Sequence, residues 1–269
     1  MTAEVYVGVD LATTAKRTGV CELTWPRRGK PRVRFLSPGQ WGTDDDLVNE
    51  FIGATSVAID VPFGWPTAFV KVVAQWNSKQ RWLGPSYMDV DASKHLRYRA
   101  TDLEVARRVK LAITSRNSQL PAGGKKLRFP QPGISISTNL LGATALRGAG
   151  LLELAHDRGV PFDRGSDDPG KTRIVEAYPA SALAAWDLTW GGLDCTWPDV
   201  PIERLTSRLE FEDKSQITRR DNFDALVCAV VARAWHQRQV VSAADIAPHH
   251  LAEEGWIAYP KARLEELFA

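Results

Sequence analysis

The first sixty residues constrain the fold most. Val5, Val7 and Val9 alternate with Tyr6, Gly8 and Asp10, so residues 5–11 carry the period-two pattern of a strand. A turn-like LATTAKRTG leads to a second apolar run at 20–25. The basic, proline-bearing break PRRGKP leads to a third at 32–36. Connections this short between consecutive strands predict an antiparallel meander. A helix should follow: Thr43 stands as N-cap, three Asp fill the first turn, and Leu47, Val48, Phe51 and Ile52 form an apolar stripe. A fourth strand, 56–61, is stopped by Pro62.

The pattern then changes. Helical stretches at 67–80, 101–114 and 138–158 are separated by Gly/Pro loops such as PAGGKK and PQPG. Residues 65–165 therefore read as a mainly helical insertion. The core resumes with a strand at 172–177, a helix through 181–186, and a long helix at about 222–238. That last helix carries Phe223, Leu226, Val227 and Val230 on one side and Ala225, Cys228 and Ala232 on the other, so it should be buried. Residues 241–269 are expected to form an extension packing on the core. The sum is a single α/β domain over 1–269.

Composition agrees with a soluble globular chain: 269 residues, 44% hydrophobic and 25% charged. Disorder and fibrous repeats are excluded as its main character. No run approaches the ~18 uncharged apolar residues that a membrane span needs, so no membrane partner is expected. The chain opens directly on a strand without a basic leader, which argues against secretion. Cys21, Cys195 and Cys228 are odd in number and lack metal-ligand spacing, pointing to a reducing, cytoplasmic setting. The overall charge of +2 is unevenly placed. Lys94, Arg97, Arg99, Arg107, Arg108, Lys110, Arg116, Lys125, Lys126 and Arg128 face only Asp102 and Glu104 in 94–128, on an otherwise acidic body. A basic region of this kind is either a solvated helical face or the footprint of a polyanion partner.

Acidic residues stand where charge is hard to explain. Asp10 ends the first strand, Asp60 ends SVAID, and Glu176 lies in RIVEAYP. Asp221 and Asp224 share one side of the last long helix at its start. Each alone reads as a helix cap or ion-pair partner, because buried carboxylates must be paired, protonated or metal-bound. Together they gather at the C-terminal edge of one sheet, where open α/β sheets bind ligands. Clustered carboxylates without His or thiolate partners select hard cations, Mg²⁺ or Mn²⁺. A pair of such ions activates water for phosphodiester cleavage.

Two nucleotide-like motifs compete. Residues 165–172, GSDDPGKT, match the P-loop expression letter for letter, but a loop precedes and a strand follows, where the motif needs a strand and then a helix. A turn leading into the strand is the better account. Gly8-Val-Asp-Leu-Ala-Thr-Thr14 looks like the first phosphate motif of the actin, chaperone and sugar-kinase ATPases, with Ala12 where those carry Gly. Those proteins also need two such domains, and this chain has residues for one.

With these pieces assembled, the sequence resembles a bacterial and archaeal domain-of-unknown-function family classed as predicted RNase H-like nucleases. The matching segments are VGVDLA at 7–12, AIDVPFGWP at 58–66, RATD at 99–102, VEAYPAS at 175–181, DNFDALVCAVVA at 221–232 and EGWIAYP at 254–260. The resemblance implies a ribonuclease-H-like mixed five-stranded sheet, three antiparallel strands then two parallel, with helices on both faces and a helical insertion. It also implies a divalent-metal nuclease. Asp221-x-x-Asp224 is similar to Holliday-junction resolvases, which implies that Asp10 bridges two metals while Asp60, Asp221 and Asp224 complete the shell, and that the protein can form a homodimer. The resolvases usually carry Glu where this chain has Asp60.

The expectation is therefore a metal-dependent phosphodiesterase acting on nucleic acid, DNA or RNA. Asp10, Asp60, Asp221 and Asp224 would hold Mg²⁺ or Mn²⁺, with Glu176 as an auxiliary ligand or base. Arg97, Arg99, Asp102, Arg107, Arg108, Lys110, Lys125 and Lys126 would meet the substrate. For Arg99, an ion pair with Asp102 or Glu176 is the structural alternative. Two rivals stay open: a non-catalytic nucleic-acid or partner-binding module of the same fold, and a nucleotide-dependent phosphotransferase or hydrolase using the Thr13/Thr14 turn.

Overall fold

The computed structural model describes residues 3–37, 40–79, 84–86, 89, 91–119, 142–165, 168–188, 199–246 and 251–269. The alternating run at the start forms β1 (Glu4–Asp10), which pairs antiparallel with β2 (Gly19–Trp25), and β2 pairs antiparallel with β3 (Arg32–Phe35). The meander is thus formed as its short connections require. The chain then crosses through α1 (Asp44–Ile52) to β4 (Ser56–Asp60), which lies parallel to β1, and later to β5 (Ile174–Glu176), parallel to β4. A sixth strand, β6 (Glu210–Phe211), runs parallel to β3 through Arg32↔Glu210 and Val33↔Phe211. The sheet order is β5-β4-β1-β2-β3-β6, six strands rather than the expected five. Two residues are too few to display a period, so β6 left no signal in the sequence.

Strand alternation gives the sheet two apolar faces. On one, Tyr6, Cys21, Leu23, Ala58 and Val175 pack with α4 (Ala100–Ser118), α6 (Pro179–Ala185) and α8 (Arg220–His236). On the other, Val7, Val9, Val20, Val57, Ile59 and Ile174 pack with α1 and α5 (Gly142–Asp157). Helix α1 begins as its sequence demands: the Thr43 hydroxyl accepts from the Asp46 amide while the Asp46 carboxylate accepts from the Thr43 amide. Val105, Val109 and Ile113 of α4 lie in the first core, and Leu151, Leu152 and Ala155 of α5 in the second. The helical stretch within 65–165 therefore supplies part of both layers; it also includes α2 (Thr67–Lys79) and α3 (Lys94–Arg97).

Helix α8 is buried almost all round, from Asn222 to Trp235 apart from Asp224. Its approach to the sheet requires glycine at two points. A Cβ at Gly8 would stand 2.0 Å from the Ala225 carbonyl oxygen, and one at Gly19 would stand 2.0 Å from that of Asp221. The backbone of α8 thus rests on the β1–β2 pair, and its first turn comes to the C-terminal end of β1.

The remaining described helices are α7 (Asp199–Thr206), α9 (Ala243–Ile246), α10 (Leu251–Glu254) and α11 (Leu264–Leu267). The C-terminal segment covers the outer edge of β5: Ile257 bridges to Glu176, the Ala258 amide donates to the Glu176 carbonyl, and Trp256, Leu264 and Leu267 are buried. An edge strand covered in this way offers no free ladder for another chain. No helix among the described residues is long and apolar enough to cross a membrane. Around the P-loop-like string, the Asp168 carbonyl accepts from the amides of Lys171 and Thr172, its carboxylate accepts from the Gly170 amide, and β5 follows. The described part of that string is a turn into a strand; Asp167 lies outside the described residues.

Candidate functional site

Asp10 and Asp60 occupy the same register position on the parallel pair β1 and β4, so their side chains emerge side by side on one face. Alternation puts both on the face of Gly8 and Ala58, under α8. Asp221 and Asp224 enter from the first two turns of α8, which the contacts at Gly8 and Gly19 bring over this strand end. Four of the five acids singled out in the sequence thus converge at one sheet edge.

Their charge is poorly compensated. Among the described residues, neither Asp10 nor Asp60 has an ion-pair or hydrogen-bond partner. Asp224 meets only the exposed Arg220, at 3.4 Å, and Asp221 only Arg219, at 3.8 Å. The consequences appear in the protonation. Burial, with Asp224 and Asp221 adding their charge, pushes the Asp10 carboxyl up to about 8. Burial, then Asp10, Asp224 and Glu176, pushes Asp60 well above the usual carboxylate range. Burial lifts Asp224 to about 6 against the pull of Arg220. Carboxylates that repel one another in a half-buried site are an unsatisfied arrangement.

Glu176 sits apart from this group. It ends β5 within electrostatic reach of Asp60, but both its oxygens are taken. Arg99 donates to Glu176 through both terminal nitrogens, the Nη1 contact at 2.8 Å, and the Phe63 amide donates to it at 2.9 Å. Arg99 also donates to Asp102 through Nε at 3.2 Å and Nη2 at 2.9 Å, and to the Glu254 carbonyl at 2.9 Å. Its side chain is only 1% exposed, that of Glu176 3%. Burial works against the guanidinium charge, but Asp102 and Glu176 together outweigh it and hold Arg99 protonated. Burial likewise pushes Glu176 up, against the opposing pull of the bidentate contact with Arg99. The structure thus displays the ion-pair alternative for Arg99 and Asp102. Every one of these contacts would have to break before either side chain could reach a substrate.

Glu254, unassigned in the sequence, completes this cluster. Its carboxylate accepts from the Thr67 amide (2.8 Å), the Thr67 hydroxyl (3.0 Å) and the Ala100 amide (2.8 Å), tying together the first turns of α2 and α4. Its signal was its place at the head of EGWIAYP. Tyr178 was also missed. It lies within electrostatic reach of Asp60 and Asp224, and burial raises its phenol to about 12, leaving an O–H donor near the acids at neutral pH. Its signal was its position two residues after Glu176.

The basic residues divide. Arg107 and Arg108 both bind Glu104, at 2.7 and 2.8 Å, and Arg97 donates through Nε to the Ser93 hydroxyl. Lys110 is exposed on α4. Lys125 and Lys126 lie outside the described residues, as do Cys195, His249 and His250. In the Thr13/Thr14 turn, the Ala12 amide already donates to the Thr18 hydroxyl at 3.2 Å, and that hydroxyl donates to the Thr14 carbonyl. An amide so engaged does not face outward as a phosphate cradle would require.

Among the described residues, no group of three or more His, Cys, Asp or Glu side chains is placed to hold a metal ion. The carboxylates stand as neighbours along an edge instead. Their chemistry does fit: all four donors are hard oxygens, and their mutual repulsion is what a divalent cation relieves.

The family model described as "Protein of unknown function (DUF429)" matches residues 8–247. The chain belongs to this family. The match spans β1 through α9, so it takes in the carboxylate edge and the Arg99 cluster but stops short of Glu254. No curated protein and no solved structure matches the chain significantly.

Proposed function

We propose that this DUF429 protein is a divalent-metal-dependent nuclease that hydrolyses phosphodiester bonds in nucleic acid. The observation that carries the reading is the side-by-side placement of Asp10 and Asp60 under Asp224, three half-buried carboxylates for which Arg220 is the one cation that opposes their shared upward shift. Evolution of a stable edge would pair or remove such groups, whereas a cation site needs them. The strand order supports the same reading. Within β5-β4-β1-β2-β3, three antiparallel strands are followed by two parallel ones, the arrangement that the resemblance to RNase H-like nucleases implies.

Asp10, Asp60, Asp221 and Asp224 would hold Mg²⁺ or Mn²⁺. Bound there, the cation supplies polarisation of the phosphodiester and acidification of water. The chain's own groups do the rest. Tyr178 keeps a proton to offer to an oxygen at the edge. Glu176, through its bond to the Phe63 amide, fixes the loop that follows Asp60 and so sets where that carboxylate points. Exposed Lys110 and the Arg107–Arg108 pair give the surface of α4 the charge that attracts a phosphate backbone, and binding through them should weaken as salt rises.

The test is cleavage of labelled single- and double-stranded DNA and RNA with Mn²⁺ or Mg²⁺, for wild type, Asp10→Asn and Asp224→Asn. Cleavage of at least one substrate that stops with chelator and falls at least about a hundredfold in both variants is expected. No cleavage of any substrate, or cleavage that persists in Asp10→Asn, refutes the reading. Tight binding without cleavage and indifferent to Asp10→Asn would be the behaviour of a non-catalytic module.

A further inference from the structure

A cavity of about 890 Å³ opens between α2, α3, α4 and α9, away from the carboxylate edge. Its described lining joins two chemistries. Tyr98, Leu103 and Ile246 supply aromatic and aliphatic surface, while Lys94, Arg107 and Arg108 supply fixed positive charge. Glu104 lies between the two arginines and binds both, which holds the guanidiniums side by side at the wall. Arg108 makes that pair through Nε, so its terminal nitrogens have no partner among the described residues, and neither has the Lys94 ammonium. The acids of the lining are mostly spoken for: Glu104 by the arginines, and Glu254 by three donors from the first turns of α2 and α4. Asp245 is the exception and stands exposed.

A cavity of this size suits a ligand of a few rings. Its lining asks for a molecule with a flat or apolar body and an anionic group, which is the chemistry of a nucleotide. Its position adds to this. Ala100 and Glu254 line the cavity, and the Glu254 carbonyl also receives Arg99, whose other hydrogen bonds reach Glu176. Glu176 is the register neighbour of Ile59, one residue before Asp60. One buried layer therefore separates the cavity from the strand that carries Asp60.

We propose that this cavity is a nucleotide subsite, taking the base or sugar against Tyr98 and Leu103 and the phosphate between Lys94 and Arg108. As the place of a nucleotide of the same strand at a distance from the bond to be cut, it rests on the nuclease reading. As a site for nucleotide chemistry, it stands on its own lining. The unit belongs either to a nucleic-acid strand or to a free nucleotide, and the experiment separates the two.

Fluorescence anisotropy in chelator, on the full chain carrying Asp10→Asn, measures binding of three probes: a short labelled single-stranded DNA, the matching RNA, and labelled AMP. Lys94→Glu and Arg108→Glu should each weaken binding about tenfold and flatten its salt dependence, and Tyr98→Ala should weaken it comparably. Lys171→Glu, in the exposed turn before β5, should change nothing. Lys94 is exposed and unpaired, so its variant keeps the fold, which an unchanged melting temperature verifies. Oligonucleotide binding much tighter than that of AMP supports a strand, and equal affinity supports a free nucleotide. Failure of all three probes to bind, or binding indifferent to both charge reversals, overturns the subsite. The nuclease reading is judged separately. Metal-dependent cleavage with unchanged kcat/KM in Lys94→Glu would overturn the use of the subsite by the cleaved strand, and cavity-dependent binding without cleavage by wild type would overturn the nuclease reading alone.

Discussion

Replacing Asp10 by Asn removes a charge without changing shape, and the carboxylate edge makes its consequence calculable. Asp10 titrates near 8 in the folded chain, above its ordinary 3.8. A carboxyl raised in this way binds its proton more tightly folded than unfolded. It therefore stabilises the fold at acid pH and loses that contribution as pH rises through about 8. Between pH 5 and 8 the loss is three pH units at about 1.4 kcal/mol each, an upper limit of about 4 kcal/mol. Asp10 and Asp60 lie side by side and titrate together, so the figure belongs to the pair, and relaxation of a half-buried site reduces it further. About 1–3 kcal/mol is expected, or roughly 2–10 °C in Tm for a chain of this size. Asp10→Asn resembles the protonated acid at every pH, so in chelator it should match wild type near pH 5 and exceed it at pH 8. Urea unfolding at pH 5, 6.5 and 8 reads this directly. With millimolar Mn²⁺ at pH 8 the order should reverse: wild type gains stability by binding in the folded state, and Asp10→Asn gains little. Stability curves that run parallel from pH 5 to 8 would show that Asp10 carries no strained charge and would remove the physical basis of the site.

Three further outcomes follow from the geometry. Arg99→Met leaves Glu176 and Asp102 buried without their partner and should cost about 3–5 kcal/mol, with Arg99→Lys recovering only part, measured by urea unfolding. Gly8→Val drives a side chain into the backbone of α8 at Ala225 and Ala229, and should destabilise by several kcal/mol or prevent folding, whereas Gly53→Ala, with open space around it, should leave Tm nearly unchanged. Thr43→Ala removes one arm of the α1 capping box and should cost about 1 kcal/mol by the same assay.

The architecture was legible wherever a repeating pattern ran long enough. The period of β1, the brevity of the links to β2 and β3, and the Thr43–Asp46 cap each specify local structure through neighbours in the chain. The acids of the site were legible for a different reason. Asp10 and Asp60 each interrupt or end an apolar strand, and Asp221 and Asp224 open an apolar helix, so their charge is conspicuous. The two-residue β6 was not legible, because it exists only through pairing with β3. Nor was the task of Glu254, whose partners Thr67 and Ala100 lie far away in the chain.

The sequence by itself therefore determined which segments become strands and helices and which residues carry unexplained charge, since both depend on contiguous residues. Tertiary structure decided which of those charges belong together. Asp10, Asp60 and Glu176 look alike in the sequence, three acids at the ends of three strands. Register and the helix that meets each strand end separate them. Asp10 and Asp60 emerge beneath α8, where Arg220 is the cation that opposes their shift, while Glu176 is gripped by Arg99 at the head of α4. Which helix reaches each strand end, the start of α8 or the start of α4, makes two of them a candidate metal site and the third half of a buried ion pair.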